Sequence, residues 1–272
     1  MSTHKPVLLQ EVINGLDLKP GEIFVDATYG GGGHSEAVAE RYPGIRIIAI
    51  DQDPLVEPSF EIRNSKFEFT RGNFRNLDKL LKGTRVDAIL FDLGFSSDQL
   101  VGKGLSFMKD EPLDMRLSGQ GFTAADILNT WKEETIELIL RGFGEERASK
   151  KIAHAIASRR DTQPFETTFD LVRVIGGRRG RIHPATKVFQ ALRIAVNEEL
   201  DNLERGLEKA FELLRPGGRL VVISFHSLED RIVKRFAREK EEKGKPIMPS
   251  EEEISMNPRA RSAKLRIIKK NV

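Results

Sequence analysis

A run of four glycines, Gly30–Gly33, stands between a short apolar segment, Ile23–Val25, and a segment with the composition of a helix. Glycine has no Cβ atom, so such a turn allows a ligand to approach the backbone closely. A phosphate-binding Walker loop would need Lys-Ser or Lys-Thr after the last glycine, where this chain has His34 and Ser35. A dinucleotide fingerprint needs glycines at its first, third and sixth positions, and the sixth falls on Ser35 or Glu36. The turn therefore predicts a ligand of neither kind, with a flexible loop that binds nothing as the alternative.

Acidic residues end the predicted strand before this turn and the next predicted strand, at Asp26 and Asp51. An acid at the second position typically hydrogen-bonds the ribose hydroxyls of a nucleoside cofactor. We expect Asp26 and the amides of the turn to meet the amino and carboxylate ends of the same ligand, and Ser35 to cap the following helix. A ribose and a zwitterionic tail without a phosphate are features of S-adenosylmethionine, which the sequence predicts as the cofactor.

The β-branched and aromatic segments of the chain predict a parallel sheet. They run apolar without alternation and end in polar or glycine turns, which is typical of strands buried on both faces. Helical segments fall between them, as in repeated βαβ units. The predicted fold class is therefore α/β, with strands at Ile23–Asp26, Arg46–Asp51, Phe67–Thr70, Val86–Asp92 and Arg219–Phe225.

The interval between the fourth and fifth predicted strands is too long for one crossover. An apolar stripe over Phe189–Leu214 predicts one long helix, ended by Pro216–Gly218, that leads into the fifth strand. Residues 105–186 would then form an inserted, mostly helical subdomain between core segments 1–104 and 187–272. Its predicted helices are Ala124–Leu128, Glu134–Leu140 and Arg147–Ser158.

Composition excludes several classes of site. The chain has no cysteine, which excludes disulfides, thiolate metal sites and a cysteine nucleophile. Its five histidines are scattered, so no metal site is expected. No apolar run reaches the roughly 18–20 residues of a membrane span, and the first residues lack a secretory pattern. We therefore expect a cytoplasmic protein without a membrane partner. The net charge of +3 does not by itself indicate a nucleic-acid ligand.

The fourth predicted strand ends in Asp92, followed by the loop Leu93–Ser97. Ligands of an open parallel sheet lie beyond the carboxyl ends of its strands, so we expect Asp92 to face the transferred methyl group. A carboxylate there can accept hydrogen bonds from an exocyclic base amine and orient its lone pair, and positioning of this kind carries most of such a reaction. Many amino methyltransferases have two prolines after this acid, which this chain lacks. The alternative is that Asp92 caps the turn at the strand end.

A series of sequence blocks, spread over nearly the whole chain, is far more specific than any single motif. The blocks are His4–Leu9, Gly32–Ser35, Asp92–Gly94 with Ser96–Leu100, Ser106–Met108, Pro112–Arg116, His183–Thr186 with Phe189–Asn197, Ile223–Arg231 and Asn257–Ser262. In content and order they resemble the bacterial small-subunit ribosomal RNA cytosine-N4 methyltransferase family, also called RsmH or MraW.

The resemblance implies a Rossmann-like class I S-adenosylmethionine-dependent methyltransferase sheet. It also implies methyl transfer to the N4 amine of a cytosine in small-subunit (16S) ribosomal RNA, near the decoding centre, with that RNA as the partner. Two positions depart from the family pattern: Gly31 stands where arginine is frequent, and Phe95 where a smaller aliphatic residue is usual. The implied cofactor contacts are Gly32, Gly33, His34, Asp51, Phe74, Asp92 and Gln99.

Three candidate residues also have simpler interpretations. Phe74 follows the third strand, where its ring would either stack on adenine or belong to the core. Gln99, without the resemblance, is typical of a surface residue. His226 follows the fifth strand, at the same sheet edge as the fourth, and is a candidate catalytic residue on the target side. Its alternative is structural, because Ser227 and Asp230 have the spacing of a helix capping box.

Basic residues form two clusters that suit phosphate contacts, with a solvated surface as the alternative. The inserted subdomain is expected to grip the RNA while a paired cytosine leaves its stack. Asp114 and Arg116 either pair with each other or touch the RNA, and the stripe over Phe189–Leu214 would serve a homodimer as well as a core. The clusters are Arg173, Arg178, Arg179, Arg181 and Lys187, and Arg259, Arg261, Lys264, Arg266, Lys269 and Lys270, the second overlapping a predicted final strand.

Three other functions compete with this interpretation. A nicotinamide-dependent oxidoreductase would share the first strand, the turn and Asp51, but the glycine spacing and the lack of a catalytic Tyr-Lys pair or zinc ligands disfavour it. A non-catalytic RNA-binding or assembly protein is disfavoured because Asp51, Asp92 and Gln99 are intact. A methyltransferase acting on another nucleic acid or on a small molecule is disfavoured by the insert and the resemblance.

Overall fold

We describe a computed structural model of the protein over residues 6–58, 66–94, 101–177 and 183–271. The chain divides into two compact units: the first combines Met1–Ser96 with Leu200–Val272, and the second is Ser97–Glu199. Within the described ranges, none of the helices is long and apolar enough to cross a membrane.

The first unit is built on a six-stranded sheet in the order β3-β2-β1-β4-β5-β6. Pairing is parallel from β3 through to β5, whereas β6 runs antiparallel to β5. The order reverses between β1 and β4, which is the switch point where α/β sheets bind ligands. The predicted α/β sheet and the final strand are confirmed. The strands are β1 (Ile23–Asp26), β2 (Arg46–Asp51), β3 (Lys66–Arg71), β4 (Val86–Asp92), β5 (Leu214–Ser224) and β6 (Lys264–Lys269).

Helices cover both faces of this sheet. Successive side chains of β1 point to opposite faces, so Phe24 and Val25 belong to different apolar clusters. The cluster around Val25 includes Leu203 and Phe236, and the cluster around Phe24 includes Val12. The helices of this unit are α1 (Leu9–Leu16), α2 (Gly33–Arg41), α3 (Leu77–Leu80), α9 (Glu199–Leu213, of which Glu199 belongs to the second unit), α10 (Ser227–Glu239) and α11 (Glu251–Met256).

The fifth strand begins earlier than predicted. It starts at Leu214 rather than Arg219, and Pro216–Gly218 lies inside it instead of ending a helix. Its pairing with β4 shifts register at this point, which accommodates the proline and the glycines. The end of α9 is stabilised by Lys270, whose Nζ donates to the carbonyl oxygens of Phe211, Glu212 and Leu214 at 2.8, 3.0 and 2.9 Å.

The long helix predicted over Phe189–Leu214 is wrong, because the chain forms two helices there. The first, α8 (Pro184–Asn197), ends where Glu198 takes a left-handed conformation with φ 50°, and α9 follows. Asn197 donates from Nδ2 to the carbonyl oxygens of Arg193 and Met115, which holds the end of α8. The apolar stripe is therefore divided between the cores of the two units. The stripe is therefore not evidence for a homodimer, and the homodimer stays a prediction.

The second unit is helical, as predicted for the insert, but its extent differs. The division at Ser97–Glu199 is wider than 105–186, since α8 packs Val188, Phe189 and Leu192 into the core of this unit. Sequence periodicity also missed one helix, α7. The helices preceding α8 are α4 (Ala124–Thr130), α5 (Glu133–Gly142), α6 (Ser149–Arg160) and α7 (Thr168–Ile175).

Asp114 and Arg116 form the ion pair that one of the two alternatives predicted. Arg116 donates from Nε and Nη2 to the two carboxylate oxygens of Asp114, at 2.7 and 2.8 Å. This contact holds the pKa of Asp114 below its usual range. The pair lies within the loop that precedes α4, and a contact with RNA stays a prediction.

We expect Asn197→Ala to destabilise the second unit by about 1–3 kcal/mol. The side chain joins α8 to the loop before α4, because Nδ2 donates to the Met115 carbonyl and Oδ1 accepts from the Leu117 amide, both at 2.8 Å. Removing it leaves both backbone groups without this partner. Urea denaturation followed by tryptophan fluorescence measures the loss at Trp131, and Thr186→Ala, on the exposed face of α8, is the matched control. Equal stability of the two variants would contradict this role.

Candidate active site at the carboxyl edge of the sheet

Three strands of the first unit end in an aspartate at the same edge of the sheet. Asp26, Asp51 and Asp92 are the last residues of β1, β2 and β4, which pair in parallel. The turn Tyr29–Gly32 follows β1 at the switch point. The structure therefore brings the sequence-predicted acids and glycines together, although the three carboxylates have different surroundings.

Asp51 joins the end of β2 to the glycine turn. Its Oδ2 accepts the Gly30 amide and its Oδ1 accepts the Asp53 amide, each at 2.8 Å. The residue is 7% exposed, and burial raises its pKa although these two amides oppose the rise. Each carboxylate oxygen can accept more than one hydrogen bond, so acceptor capacity remains for ribose hydroxyls. This donor and acceptor arrangement fits the predicted cofactor.

Asp26 is more enclosed than predicted. It is 1% exposed, and its oxygens accept the Ser35 hydroxyl at 2.7 Å and the Thr28 amide at 3.3 Å. The expectation that Ser35 caps α2 is wrong: the residue at that position is Gly32, and the Ser35 hydroxyl binds Asp26 instead. Burial raises the pKa of Asp26 to about 6, despite the Ser35 hydrogen bond and the nearby His34. The buried Asp26 carboxylate fixes the turn, and its contact with the amino end of the cofactor stays a prediction.

Two of the predicted cofactor-contacting glycines are also required by packing. Gly32 has φ 79°, and a Cβ atom there would lie 2.5 Å from the Tyr29 hydroxyl. A Cβ atom on Gly33 would lie 2.6 Å from Pro6 Cγ. The first amides of α2 have no acceptor within the helix and carry the positive end of its dipole. That end of the helix suits the carboxylate of a zwitterionic ligand.

His34 lies between a backbone carbonyl and the fourth-strand carboxylate. Its Nε2 is 3.0 Å from the Val7 carbonyl oxygen, and its Nδ1 is 3.6 Å from Asp92 Oδ2. A carbonyl only accepts, so Nε2 carries the hydrogen. Asp92 Oδ1 accepts the Gly94 amide at 3.1 Å, as the strand-end alternative predicted, while Oδ2 lies on the His34 side. The Asp92 amide donates to the Thr28 hydroxyl at 2.7 Å.

Phe74 occupies the position that its core interpretation predicted. Its ring centroid is 4.8 Å from that of Phe91, and a Cβ atom on Gly206 would lie 2.5 Å from the Phe74 ring. The side chain packs against the apolar cluster on one face of the sheet. Stacking on adenine stays a prediction. Gln99 and Phe95 lie outside the described residues.

His226 caps a helix, but not in the predicted arrangement. The capping box of α10 is formed by His226 and Glu229, not by Ser227 and Asp230. Glu229 Oε2 accepts the amides of Phe225 and His226, at 2.7 and 3.2 Å, and its own amide donates to His226 Nδ1 at 3.4 Å. His226 Nε2 lies 3.0 Å from Glu229 Oε1 without hydrogen-bond alignment. The histidine is therefore engaged with its own helix, and its catalytic role stays a prediction.

Two residues of the C-terminal basic cluster bind the same aspartate. Asp230 accepts hydrogen bonds from Lys264 and Arg266 at 2.9 Å each. Burial acts to raise the pKa of Asp230, but the two cations outweigh burial and hold that pKa below its usual range. Arg259 and Arg261 are exposed on the short turn before β6. Residues 178–182, with much of the other cluster, lie outside the described residues, as do residues 1–5.

Sequence reasoning missed four contributors to this edge. Thr28 holds the Asp92 amide, Tyr29 fills the space beside Gly32, Ser35 binds Asp26, and Val7 orients His34. The sequence offered a signal for the contact between Ser35 and Asp26, because the two residues stand on either side of the glycine turn at a short spacing. The contact from Val7 had no local signal.

Comparison with known proteins identifies relatives along the whole chain. The model of a family described as the MraW methylase family matches residues 1–271. Three similar curated proteins are all named ribosomal RNA small subunit methyltransferase H. Those of Caulobacter vibrioides (strain NA1000 / CB15N) and Thermomicrobium roseum are each 45% identical over 97% of this chain, and cover 94% and 93% of their own lengths. The protein of Carboxydothermus hydrogenoformans is 45% identical over 98% of both chains.

The raised pKa of Asp26 predicts a pH-dependent stability difference. Between the ordinary value of 3.8 and the folded value of about 6, the folded state retains a proton that the unfolded state releases. Stability from this group is therefore present below that window and falls as the pH rises through it. Between pH 4 and pH 7, we expect the free energy of unfolding of Asp26→Asn to rise by roughly 2.4 kcal/mol relative to that of the unsubstituted protein, measured by urea denaturation. If the free energies of unfolding of the two proteins changed with pH in parallel, the raised pKa of Asp26 would be contradicted.

Proposed function

The chain belongs to the MraW methylase family, and on that premise we propose that it methylates the N4 amine of a cytosine in small-subunit ribosomal RNA, near the decoding centre. The names of its relatives support the substrate. The observation that carries the proposal for this chain is the hydrogen bond from the Gly30 amide to Asp51, which fixes the turn at the switch point of the sheet where we propose that the cofactor binds. The cytoplasm, where ribosomal subunits are found, is the proposed location.

S-adenosylmethionine is the methyl donor, and when bound it supplies an electrophilic methyl group. The amides at the start of α2 would hold its carboxylate, and the Asp51 carboxylate would accept from its ribose hydroxyls. Gly32 and Gly33 keep the turn close to Tyr29 and Pro6, so the backbone amides stay in place. The prediction that this site needs no metal ion is retained in the proposal.

Asp92 would act on the target amine. The lone pair of an exocyclic cytosine amine is delocalised into the ring, and a hydrogen bond from the amine to a carboxylate favours the geometry in which that lone pair is available. Asp92 Oδ2 is the candidate acceptor, because Oδ1 is already held by Gly94. Methyl transfer would break the bond between the cofactor sulfur and the methyl carbon, leave the sulfur as a thioether, and form the new C–N bond. The amine would then lose one proton, and the Asp92 carboxylate, beside His34, would receive it.

Exposed arginines at the same sheet edge would contact the RNA backbone. Lys264, the first residue of β6, pairs with Ser224, the last residue of β5, so the turn before β6 lies at the carboxyl edge. Arg259 and Arg261 lie on this turn. Phosphate contacts there would give an affinity that falls as salt rises. The role of the second unit in gripping the RNA stays a prediction.

A methyl-transfer assay tests the reaction. Purified protein, radiolabelled S-adenosylmethionine and small ribosomal subunits from a strain lacking the endogenous activity are combined, and the RNA is digested to nucleosides. We expect label in N4-methylcytidine. Asp92→Ala should lower kcat about 100-fold or more, because it removes the group that orients the amine.

Cofactor affinity is the control for this experiment. Because Asp92 is also an implied cofactor contact, the affinity of Asp92→Ala for S-adenosylmethionine is measured beside kcat, and we expect kcat to fall more than the affinity does. Label in another nucleoside would change the proposed target base. Cofactor binding with no label in RNA would contradict the proposed function and favour another acceptor or a non-catalytic role in subunit assembly.

A further inference from the structure

The segment Pro6–Leu8, which we call the strap, lies against the glycine turn. Pro6 occupies the space beside Gly33, where a Cβ atom would lie 2.6 Å from its ring. Val7 and Leu8 are buried with the apolar cluster that includes α1. The Val7 carbonyl oxygen contacts His34 Nε2 at 3.0 Å. The strap is therefore the element that orients the His34 ring.

The last residue of the strap needs an external partner. Leu8 has φ 53° and ψ 39°, the left-handed conformation that costs a side chain with a Cβ atom roughly 1 kcal/mol or more. Its carbonyl begins α1 by accepting the Val12 amide at 2.8 Å. Its own amide donates to Glu253 Oε1 at 2.7 Å, a contact between residues 245 positions apart. This hydrogen bond holds the peptide that joins Leu8 to Val7.

Glu253 is placed for this contact by its own short helix. It is the third residue of α11, whose N-cap is Ser250, and Ser250 Oγ accepts the Glu253 amide at 3.1 Å. Ser-x-x-Glu is the sequence of a capping box, in which the glutamate would return to the amide of the capping residue. Here the carboxylate reaches Leu8 instead. The neighbouring Glu251 and Glu252 are exposed.

We propose that Glu253 is a positioning residue of the methyl-transfer site, acting through Leu8, Val7 and His34. Its hydrogen bond to the Leu8 amide fixes the peptide that presents the Val7 carbonyl. That carbonyl selects the Nε2–H tautomer of His34, which leaves Nδ1 as the nitrogen facing Asp92. The inference rests on the proposed function for its link to catalysis, but the hydrogen-bond relay itself is independent of the acceptor.

The relay makes a prediction that needs no substrate. In protein with ¹⁵N-labelled histidine, the two-bond ¹H–¹⁵N spectrum distinguishes the tautomers, and His34→Gln identifies the His34 signals. The unsubstituted protein should show the Nε2–H form. An Nδ1–H form would overturn the proposal without any variant of Glu253.

Variants of Glu253 test its part in the relay. Glu253→Ala should give a mixture of His34 tautomers and weaken S-adenosylmethionine binding about tenfold in calorimetry, the scale of one hydrogen bond to a charged group. Glu253→Gln retains an acceptor oxygen for the Leu8 amide and should restore the single tautomer and the affinity to within about twofold. Glu252→Ala, on the exposed part of the same helix, is the matched control.

The outcomes separate this proposal from the proposed function. A folded Glu253→Ala protein with an unchanged His34 tautomer and unchanged cofactor affinity would overturn the positioning role. Failure of Glu253→Gln to restore the Nε2–H tautomer would also overturn the positioning role. It would mean that an oxygen accepting from the Leu8 amide is not sufficient to orient His34. A response of His34 and of cofactor binding, without label in ribosomal RNA, would support the relay and contradict only the acceptor assignment.

Discussion

The hydrogen bond between the Gly30 amide and the Asp51 carboxylate holds the ligand-binding edge of the first unit together. It joins the end of β2 to the turn that follows β1, beside a backbone bond from the Tyr29 amide to the Ile50 carbonyl. With the turn fixed there, the Ser35 hydroxyl can bind Asp26, and α2 begins with its first amides at the switch point. The cofactor site inferred for this chain depends on these contacts, because they fix the turn and the start of α2.

Grouping carboxylates at one edge has an energetic cost that the structure meets with local donors. Burial raises the pKa values of both Asp26 and Asp51, so their charged forms are less stable there than in water. Backbone amides and one hydroxyl offset part of this cost. Asp92 differs from them, because one of its oxygens lies toward His34 while the other caps the strand-end turn. The edge thus contains two carboxylates that shape the turn, and a third, Asp92, that is the proposed acceptor for the target amine.

The sheet and the glycine turn could be predicted from sequence because their signals are local. Strands β1, β2 and β4 match their predicted bounds, since apolar runs ending in aspartate mark them clearly. The break at Glu198 was invisible to periodicity, because the apolar stripe continues through it into two separate cores. The capping role of Glu229 and the contact from Glu253 to Leu8 depend on tertiary packing, which a local pattern does not contain. Contacts of that kind orient the site, so its geometry was harder to predict than its composition.

The most direct test of this account is the affinity of Asp51→Ala for S-adenosylmethionine, measured by calorimetry beside the affinity for small-subunit ribosomal RNA. Losing the Gly30 partner and the proposed ribose acceptor together should weaken cofactor binding about 10- to 100-fold, the scale of one or two hydrogen bonds to a charged group. RNA binding should stay within about twofold, since a phosphate contact is not removed. Equal losses for the two ligands, or an unchanged cofactor affinity, would contradict the claim that Asp51 organises the cofactor site.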